Sequence, residues 1–424
     1  MAFTFIHTGD LHLDSPLTGL SAHQGEDGDK AKIVAGAGRA AFRDLVDLAI
    51  EERVDAMLIA GDLWDGDWRD LSAGLFMQAE TSRLAKAGVR TFAILGNHDA
   101  ESRVTDRIRH LDALHLFSSD APSSVECGPA VIHGQSYREA ATTENLAARY
   151  PRAWPGRINV GLLHTALDGS FGHGRYAPCT LADLAARQYD YWALGHVHER
   201  RILQERRAAD GGVVAFCGVL QGRHIGESGP KGAYLGHIDE NGPHLRPIDL
   251  PHAAWFVAEA DLSRGEAPEP AIRRAVGRVA EGLAPALRCA VIRVRVTGET
   301  ARHFSLANSL RALTDTARQI AAGIDDRLLI EEVNLQTRPP VDRPAPHLPH
   351  NFEAVIARAA ASEEVAQKAA AEVREVLSLL PGPVKAKVLA RMPLLLPFDE
   401  TGSIEPLLAD AAEAVTALAG GEEE

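Results

Sequence analysis

Cysteine is scarce in this chain, and the scarcity closes two readings at once. Only four occur among 424 residues: Cys127, Cys179, Cys217 and Cys289. They lie far apart and form no CxxC pair, so neither a zinc finger nor a disulfide scaffold fits. Small buried thiols are the expectation. Basic charge is in deficit as well: 44 Lys and Arg stand against 58 Asp and Glu, a formal net charge of -14. A chain coated in basic residues is excluded, and any polyanion it binds must meet a local patch or metal ions. Long apolar runs are missing too; none approaches the roughly 20 residues that span a bilayer. The opening Met-Ala-Phe-Thr-Phe-Ile-His-Thr-Gly-Asp lacks the cationic start of a signal peptide. The expectation is a cytoplasmic protein with no membrane partner.

What is present is a hydrophobic fraction of 46%, enough for sizeable cores, over a length that suits two or three domains. Apolar runs at Phe3–Ile6, Ala56–Ala60 and Arg90–Leu95 predict strands, and the periodicity of Arg39–Glu52 and Leu71–Ala87 predicts helices between them. Alternating strands and helices imply a layered α/β fold. Further short strands are expected at Ala130–His133, Ile158–His164, Tyr191–Leu194, Val213–Cys217 and Gly232–Ile238. Turn signals stand at Asp210-Gly211-Gly212 and Glu240-Asn241-Gly242.

A boundary falls near Leu250-Pro251. Beyond it Trp255–Glu259, Ala290–Val296 and Leu328–Asn334 read as strands, with helices at Ala271–Leu283 and Phe304–Ala322. Five prolines then crowd residues 338–350, an extended linker. Helices are expected at Phe352–Leu379, Pro383–Arg391 and Ile404–Ala419, before a disordered Gly420–Glu424 tail. The domains so read are 1–250, a small α/β domain at 251–337, the linker 338–350 and a helical region 351–424.

Five segments of the first domain concentrate the chemistry: Gly9-Asp10-Leu11-His12, Gly61-Asp62-Leu63-Trp64-Asp65, Gly96-Asn97-His98-Asp99, Leu163-His164-Thr165 and Gly195-His196-Val197-His198. Carboxylate, amide oxygen and imidazole nitrogen are the donors a divalent cation near a phosphate needs. Asp10 and His12 are two apart, so both can reach one ion from an extended loop; His196 and His198 share that spacing. Asp62 has two oxygens and could bridge two ions. Taken singly, an Asp after Gly is more often a turn residue, and a His more often surface or core. His7, His23, His110, His115 and His133 are histidines without such a context. The joint pattern decides the matter: a strand followed by Gly-Asp or Gly-Asn-His, three times in succession.

That order, D-x-H, G-D-x-x-D, G-N-H-D, H, G-H-x-H, resembles the calcineurin-like metallophosphoesterase superfamily. Thr8-Gly9-Asp10-Leu11-His12-Leu13-Asp14 resembles its DNA-repair exonuclease branch, the SbcD-type nucleases. Leu220-Gln221-Gly222-Arg223-His224, with Glu227-Ser228-Gly229-Pro230-Lys231-Gly232 after it, resembles the YhaO-like sub-branch. Gly218-Val219-Leu220 departs from the Gly-Asn-Pro often found there. The resemblance implies a four-layer β-sandwich flanked by helices, carrying a small α/β capping domain and a helical C-terminal region. It implies one cation held by Asp10, His12 and His198, a second by Asn97, His164 and His196, and Asp62 between them. His98 would act on the scissile phosphate, with Asp65 orienting its imidazole. Two cations about 3.5–4 Å apart would clamp the phosphate and activate water. Manganese is the implied metal, while the donor set also admits iron or zinc.

The resulting expectation is a DNA exonuclease or endonuclease of repair or processing. Arg200, Arg201, Arg206, Arg207, Arg223 and Lys231 lie where they could touch DNA phosphates, or could be solvated hairpin charges. A phosphomonoesterase or small-nucleotide phosphodiesterase on the same fold is the alternative. A non-catalytic adaptor is disfavoured, because no ligand position is missing. Apolar stripes such as Val365, Ala369, Val373 and Val376 fit either an internal core or a partner helix. The resemblance points to an SMC-like ATPase of the SbcC type as that partner, and a homodimer is a further expectation.

Overall fold

The computed structural model describes residues 2–15, 17, 28–65, 72–100, 113–168, 176–205, 212–340 and 352–419. Arg206, Arg207, the Asp210-Gly211 step of one turn, residues 341–350 of the expected linker, and the 420–424 tail lie outside them, as do His23 and His110.

Two sheets carry the first part of the chain. In one, β1 (Phe3–Thr8), β2 (Ala56–Ala60), β3 (Arg90–Ile94) and β4 (Leu114–Leu116) pair in parallel. In the other, β5 (Ser123–Cys127) pairs antiparallel with β6 (Ala130–Gly134), which leads into parallel β7 (Ile158–His164) and β8 (Tyr191–Gly195). β9 (Arg201–Glu205) and β10 (Val213–Phe216) complete the second sheet, in the order β5-β6-β7-β8-β10-β9. β11 (Gly232–Asp239) returns antiparallel to β1 and pairs with β12 (Gly242–Asp249), so the first sheet reads β12-β11-β1-β2-β3-β4.

The layers follow from which faces are apolar. β2 and β7 are buried along their whole length, as parallel strands covered on both faces must be. Phe3, Phe5, Leu58 and Phe92 of the first sheet pack against Ile132, Val160, Leu162 and Tyr191 of the second. The outer face of the first sheet meets α1 (Gly28–Glu51) and α2 (Ser72–Lys86) through Phe42, Leu45, Val46, Met77 and Leu84. The outer face of the second is covered through Tyr150, Leu184, Tyr189 and Trp192. The result is the expected four-layer α/β sandwich.

The four cysteines are buried thiols, and none forms a disulfide. His7 and His133 are core residues. His7 accepts from the Tyr191 hydroxyl at 2.6 Å and donates to the Leu194 carbonyl at 3.2 Å, and burial pushes its pKa down to about 3. His133 bridges Ser124 and Asn159.

Several elements differ from the sequence expectation. α1 begins at Gly28, eleven residues before the expected Arg39, because Val34 and Ala37 have a separate apolar seat against Trp255, Cys289 and Val291. The helix expected over Phe304–Ala322 is two, His303–Asn308 and Leu310–Ala322, separated at Ser309, whose hydroxyl donates to the Ser305 carbonyl at 2.8 Å. Phe352–Leu379 likewise divides into Phe352–Ala360 and Glu363–Leu379, the second capped by Ser362. β4, β5, β9 and β12 were not expected, and they are the edge strands of the two sheets.

A third sheet orders β13 (Ala253–Asp261), β14 (Cys289–Glu299) and β15 (Leu328–Arg338). The chain divides into two compact units. One comprises Met1–Glu259, Ile272–Val294 and Ala317–Val333; the other comprises Ala260–Ala271, Arg295–Thr316 and Asn334–Glu424. In the second unit, Leu377, Phe398 and Ile404 form a small core. Among the described residues no helix is long and apolar enough to cross a membrane.

Phe5 is fully buried between the sheets, 4.9 Å ring to ring from Tyr191. Phe5→Ala should cost about 3–5 kcal/mol in urea unfolding, and a loss below about 1 kcal/mol would contradict the inter-sheet core.

Candidate metal centre

The parallel strands all end at the same edge, and the five segments follow directly from them. Past β1 and β2 the two loops keep pairing side by side: the amides of Asp10, His12 and Leu13 donate to the carbonyls of Gly61, Asp62 and Leu63 at 2.9–3.0 Å. Asp10, His12, Asp62 and His196 have positive φ, of 45°, 41°, 49° and 99°. L-residues adopt this region at a cost of about 1 kcal/mol or more each, a strain that concentrates at functional sites. Glycine before the ligand is a matter of space. A Cβ on Gly96 would lie 2.3 Å from Asp62 Oδ1, and one on Gly61, whose φ is 96°, would lie 2.5 Å from His164 Nδ1.

Three groups of donor side chains converge among the described residues: His12 with Asp65 and His98, and two more that share no residue with each other. Asp10, His12 and His198 bring one donor atom each within 4.8 Å of one another, and so do Asp62, His164 and His196. Asn97 joins the group of Asp62, its Oδ1 lying 3.0 Å from His164 Nε2 and 3.1 Å from His196 Nδ1. Asp62 Oδ2 stands between these last two groups, 3.4 Å from His164 Nε2 and 3.8 Å from His12 Nε2. Its other oxygen accepts the His98 amide at 3.0 Å. Asp10 receives the His196 amide on both oxygens at 3.0 Å.

Tautomers decide what these contacts mean. A carbonyl or carboxylate oxygen only accepts, so an imidazole nitrogen facing one must carry the proton. His164 Nδ1 donates to the Ala60 carbonyl at 2.9 Å, His12 Nδ1 to Asp65 Oδ1 at 2.8 Å, and His198 Nδ1 to Glu227 Oε1 at 2.6 Å. His12 and His198, as neutral rings, therefore point bare Nε2 lone pairs inward, whereas His164 Nε2 faces oxygens and by the same rule carries a proton unless a cation takes its place. His12 Nε2 and His198 Nε2 face each other at 3.3 Å, and His164 Nε2 faces the oxygens of Asn97 and Asp62. Acceptor against acceptor at such distances is repulsive unless a proton or a metal cation lies between them. Outward nitrogens fixed by acceptors are the usual support of metal-bound histidines. The donor set fits two divalent cations.

Charge agrees. Burial opposes protonation of His164, yet Asp62 outweighs it and raises the ring to about 9. Burial likewise works against Asp62, and the surrounding histidines still hold its carboxyl well below the usual range. The site is built to hold positive charge.

His98 stands at the rim. Its side chain is 43% exposed, while its Nδ1 lies 3.0 Å from Asp65 Oδ1. The hydrogen bond to Asp65 raises its pKa. Asp65 does more than expected, because the same oxygen also serves His12 and its Oδ2 accepts from Ser15 and Arg223. Three supporting residues escaped the sequence reading. Glu227 stands behind His198, Ser15 behind Asp65, and Asp99 beneath both loops. Asp99 accepts the amides of Leu63 and Gly96 at 2.9 Å and of Trp64 at 3.2 Å, and burial beside Asp62 pushes it up to about 7. The signals were there, in the last residue of Gly-Asn-His-Asp and in a Glu four residues after Arg223.

The arginines expected near DNA have partners within the protein. The Arg200 guanidinium donates to the carbonyl of Ile248 at 3.1 Å and pairs with Asp249, and Arg201 meets Glu199 at 3.0 Å. Arg223 pairs with Asp65 and Glu227.

Residues 3–200 match the family of calcineurin-like phosphoesterases, and residues 255–338 match the middle domain of metallophosphoesterase YhaO. The chain is 41% identical over 272 residues to the uncharacterized metallophosphoesterase YhaO of Bacillus subtilis, which covers 62% of this chain and 64% of that protein. It is 29% identical to the DNA double-strand break repair protein Mre11 of Sulfurisphaera tokodaii and 27% identical to that of Saccharolobus solfataricus. Each of these two covers 49% of this chain and 56% of the relative. The chain thus spans less than two thirds of the length of these relatives.

Asp62 lies between the two donor groups. Asp62→Ala should therefore retain less divalent metal than the unaltered protein through chelation-free purification, read by elemental analysis. An unchanged metal content would contradict the bridging position.

Proposed function

Because residues 3–200 form a domain of the calcineurin-like metallophosphoesterase family, we propose that this chain is a phosphodiesterase that hydrolyses DNA with two divalent cations. The observation that carries the reading is the convergence of imidazole nitrogens and oxygens in two adjoining groups, with the outer nitrogens of His12, His164 and His198 each held by an acceptor. Asp10, His12 and His198 would hold one cation and Asn97, His164 and His196 the other, with Asp62 shared. Such cations supply the charge that clamps a phosphate and activates water for in-line attack. The mixed oxygen and nitrogen donors suit manganese, which we assign, and also iron or zinc.

The chain's own residues do the rest. His98 is solvent-accessible on one side and anchored by Asp65 on the other, so its ring can meet a phosphate without losing its orientation. The raised pKa favours the imidazolium, which can neutralise charge on a phosphoryl oxygen or protonate the leaving oxygen. Relatives named for DNA double-strand break repair support a DNA backbone as substrate. Arg200 and Arg201 are the proposed phosphate contacts, each sharing its charge with a carboxylate of the chain. The helices of residues 352–419 expose Val355, Val365, Val376 and Leu379, and we assign that region to docking an SMC-like ATPase.

End-labelled duplex DNA incubated with manganese tests the reading. The unaltered chain should release nucleotides or fragments, whereas turnover of a chromogenic monoester alone would favour a phosphomonoesterase. His98→Ala should keep both cations and lose about 10²–10⁴-fold in turnover, the usual contribution of a general acid. Cleavage at the unaltered rate would remove His98 from the mechanism.

A further inference from the structure

One guanidinium touches both sides of this centre. Arg223 Nη1 donates to Asp65 Oδ2 at 3.2 Å, Nη2 to Glu227 Oε1 at 3.0 Å and Nε to Glu227 Oε2 at 3.4 Å. The Arg223 amide donates to Glu227 Oε2 at 2.8 Å. The side chains are 17%, 20% and 4% exposed for Arg223, Asp65 and Glu227, so these contacts are shielded and worth more than surface pairs. Both carboxylates are committed on their other contacts. Asp65 Oδ1 receives His12 and lies 3.0 Å from His98 Nδ1, and Glu227 Oε1 receives His198. Burial raises the Glu227 carboxyl, but His198 and Arg223 outweigh it and keep it ionised.

The segment that carries these residues is anchored. Gln221 Nε2 donates to the Ala253 carbonyl, and Trp255 Nε1 donates to the Gly222 carbonyl at 3.2 Å. A short 3-10 turn, Ile225–Glu227, brings Glu227 back over Arg223. A Cβ on Gly222 would lie 2.8 Å from the Glu227 carbonyl oxygen, so the turn closes against the glycine.

We propose that Arg223 and Glu227 are positioning residues. The Arg223 fork joins the carboxylate that orients His198 to the carboxylate that orients His12 and His98, and so sets the Asp10–His12–His198 cation site in register with His98. The proposal rests on the two-cation reading above. It also gives Arg223 a different principal role from a DNA contact. A guanidinium held by two carboxylates belongs to a group of net negative charge and offers little attraction to a phosphate. A planar fork can span two carboxylates where a lysine ammonium cannot, so the site requires arginine.

Manganese titration of the full chain, followed by electron paramagnetic resonance, tests this together with DNA cleavage kinetics. The unaltered chain should bind two equivalents. Arg223→Lys and Glu227→Ala should each weaken one equivalent by about 10–100-fold, the usual effect of losing a residue that supports a metal ligand, and leave the other unchanged. Their kcat should fall while KM for DNA stays near the unaltered value. Glu227→Gln keeps an oxygen that can accept from His198, so it should lose less metal affinity than Glu227→Ala. Two tight equivalents in both Arg223→Lys and Glu227→Ala, or a rise in KM alone, would overturn the proposal. An unaltered chain that binds fewer than two equivalents overturns the two-cation reading and this proposal with it.

Discussion

Repulsion between buried acceptors is the constraint on which this molecule is organised. His12 and His198, as neutral rings, turn unprotonated nitrogens toward each other at 3.3 Å, and Asn97 and Asp62 set oxygens against His164 Nε2, so that this contact needs a proton or a cation between them. Each ring is held in that orientation by an acceptor on its far side. Such an arrangement favours positive charge at the site. The fold tolerates it because cations, or protons in their stead, convert each repulsive contact into an attractive one. Two layers of sheet supply the rigidity: the strands beneath the ligands are buried on both faces, so the loops cannot relax apart without opening the core.

The same edge of the sandwich concentrates backbone strain. Four ligand candidates have positive φ, and the glycines before Asp62 and Asn97 stand where a methyl group would strike a ligand side chain. Asp99 offsets part of this cost by tying the β2 and β3 loops together through three backbone amides. Acidic net charge is consistent with the design. Under the proposed function, the chain would meet a polyanion through bound cations rather than through an excess of lysine and arginine.

The sequence was most legible where burial is complete. Ala56–Ala60, Ile158–His164 and Tyr191–Leu194 announce themselves as apolar runs because both faces are covered. The edges are another matter. β4, β5, β9 and β12 carry residues such as Glu126, Arg201 and Pro247, which suit a strand with one unpaired side and mask its periodicity. The start of α1 was hidden by Gly36 and Gly38, and only the seat of Val34 against Trp255 and Val291 shows why helix persists there. At the site, the residues expected to hold metal were readable because Asp10, Asp62, Asn97 and His196 each follow a glycine at the end of a strand, with His12 and His198 two positions on and His164 closing β7. Glu227 and Asp99 were not. Their role lies in which imidazole or amide they face, and that depends on loops distant in sequence meeting in space.

Counting bound cations tests this account most directly. Manganese binding to the full chain, measured by native mass spectrometry and by the spin coupling between bound ions, should give two ions per chain that are magnetically coupled, since the two donor groups adjoin across Asp62. Fewer than two ions, or two without coupling, would contradict it.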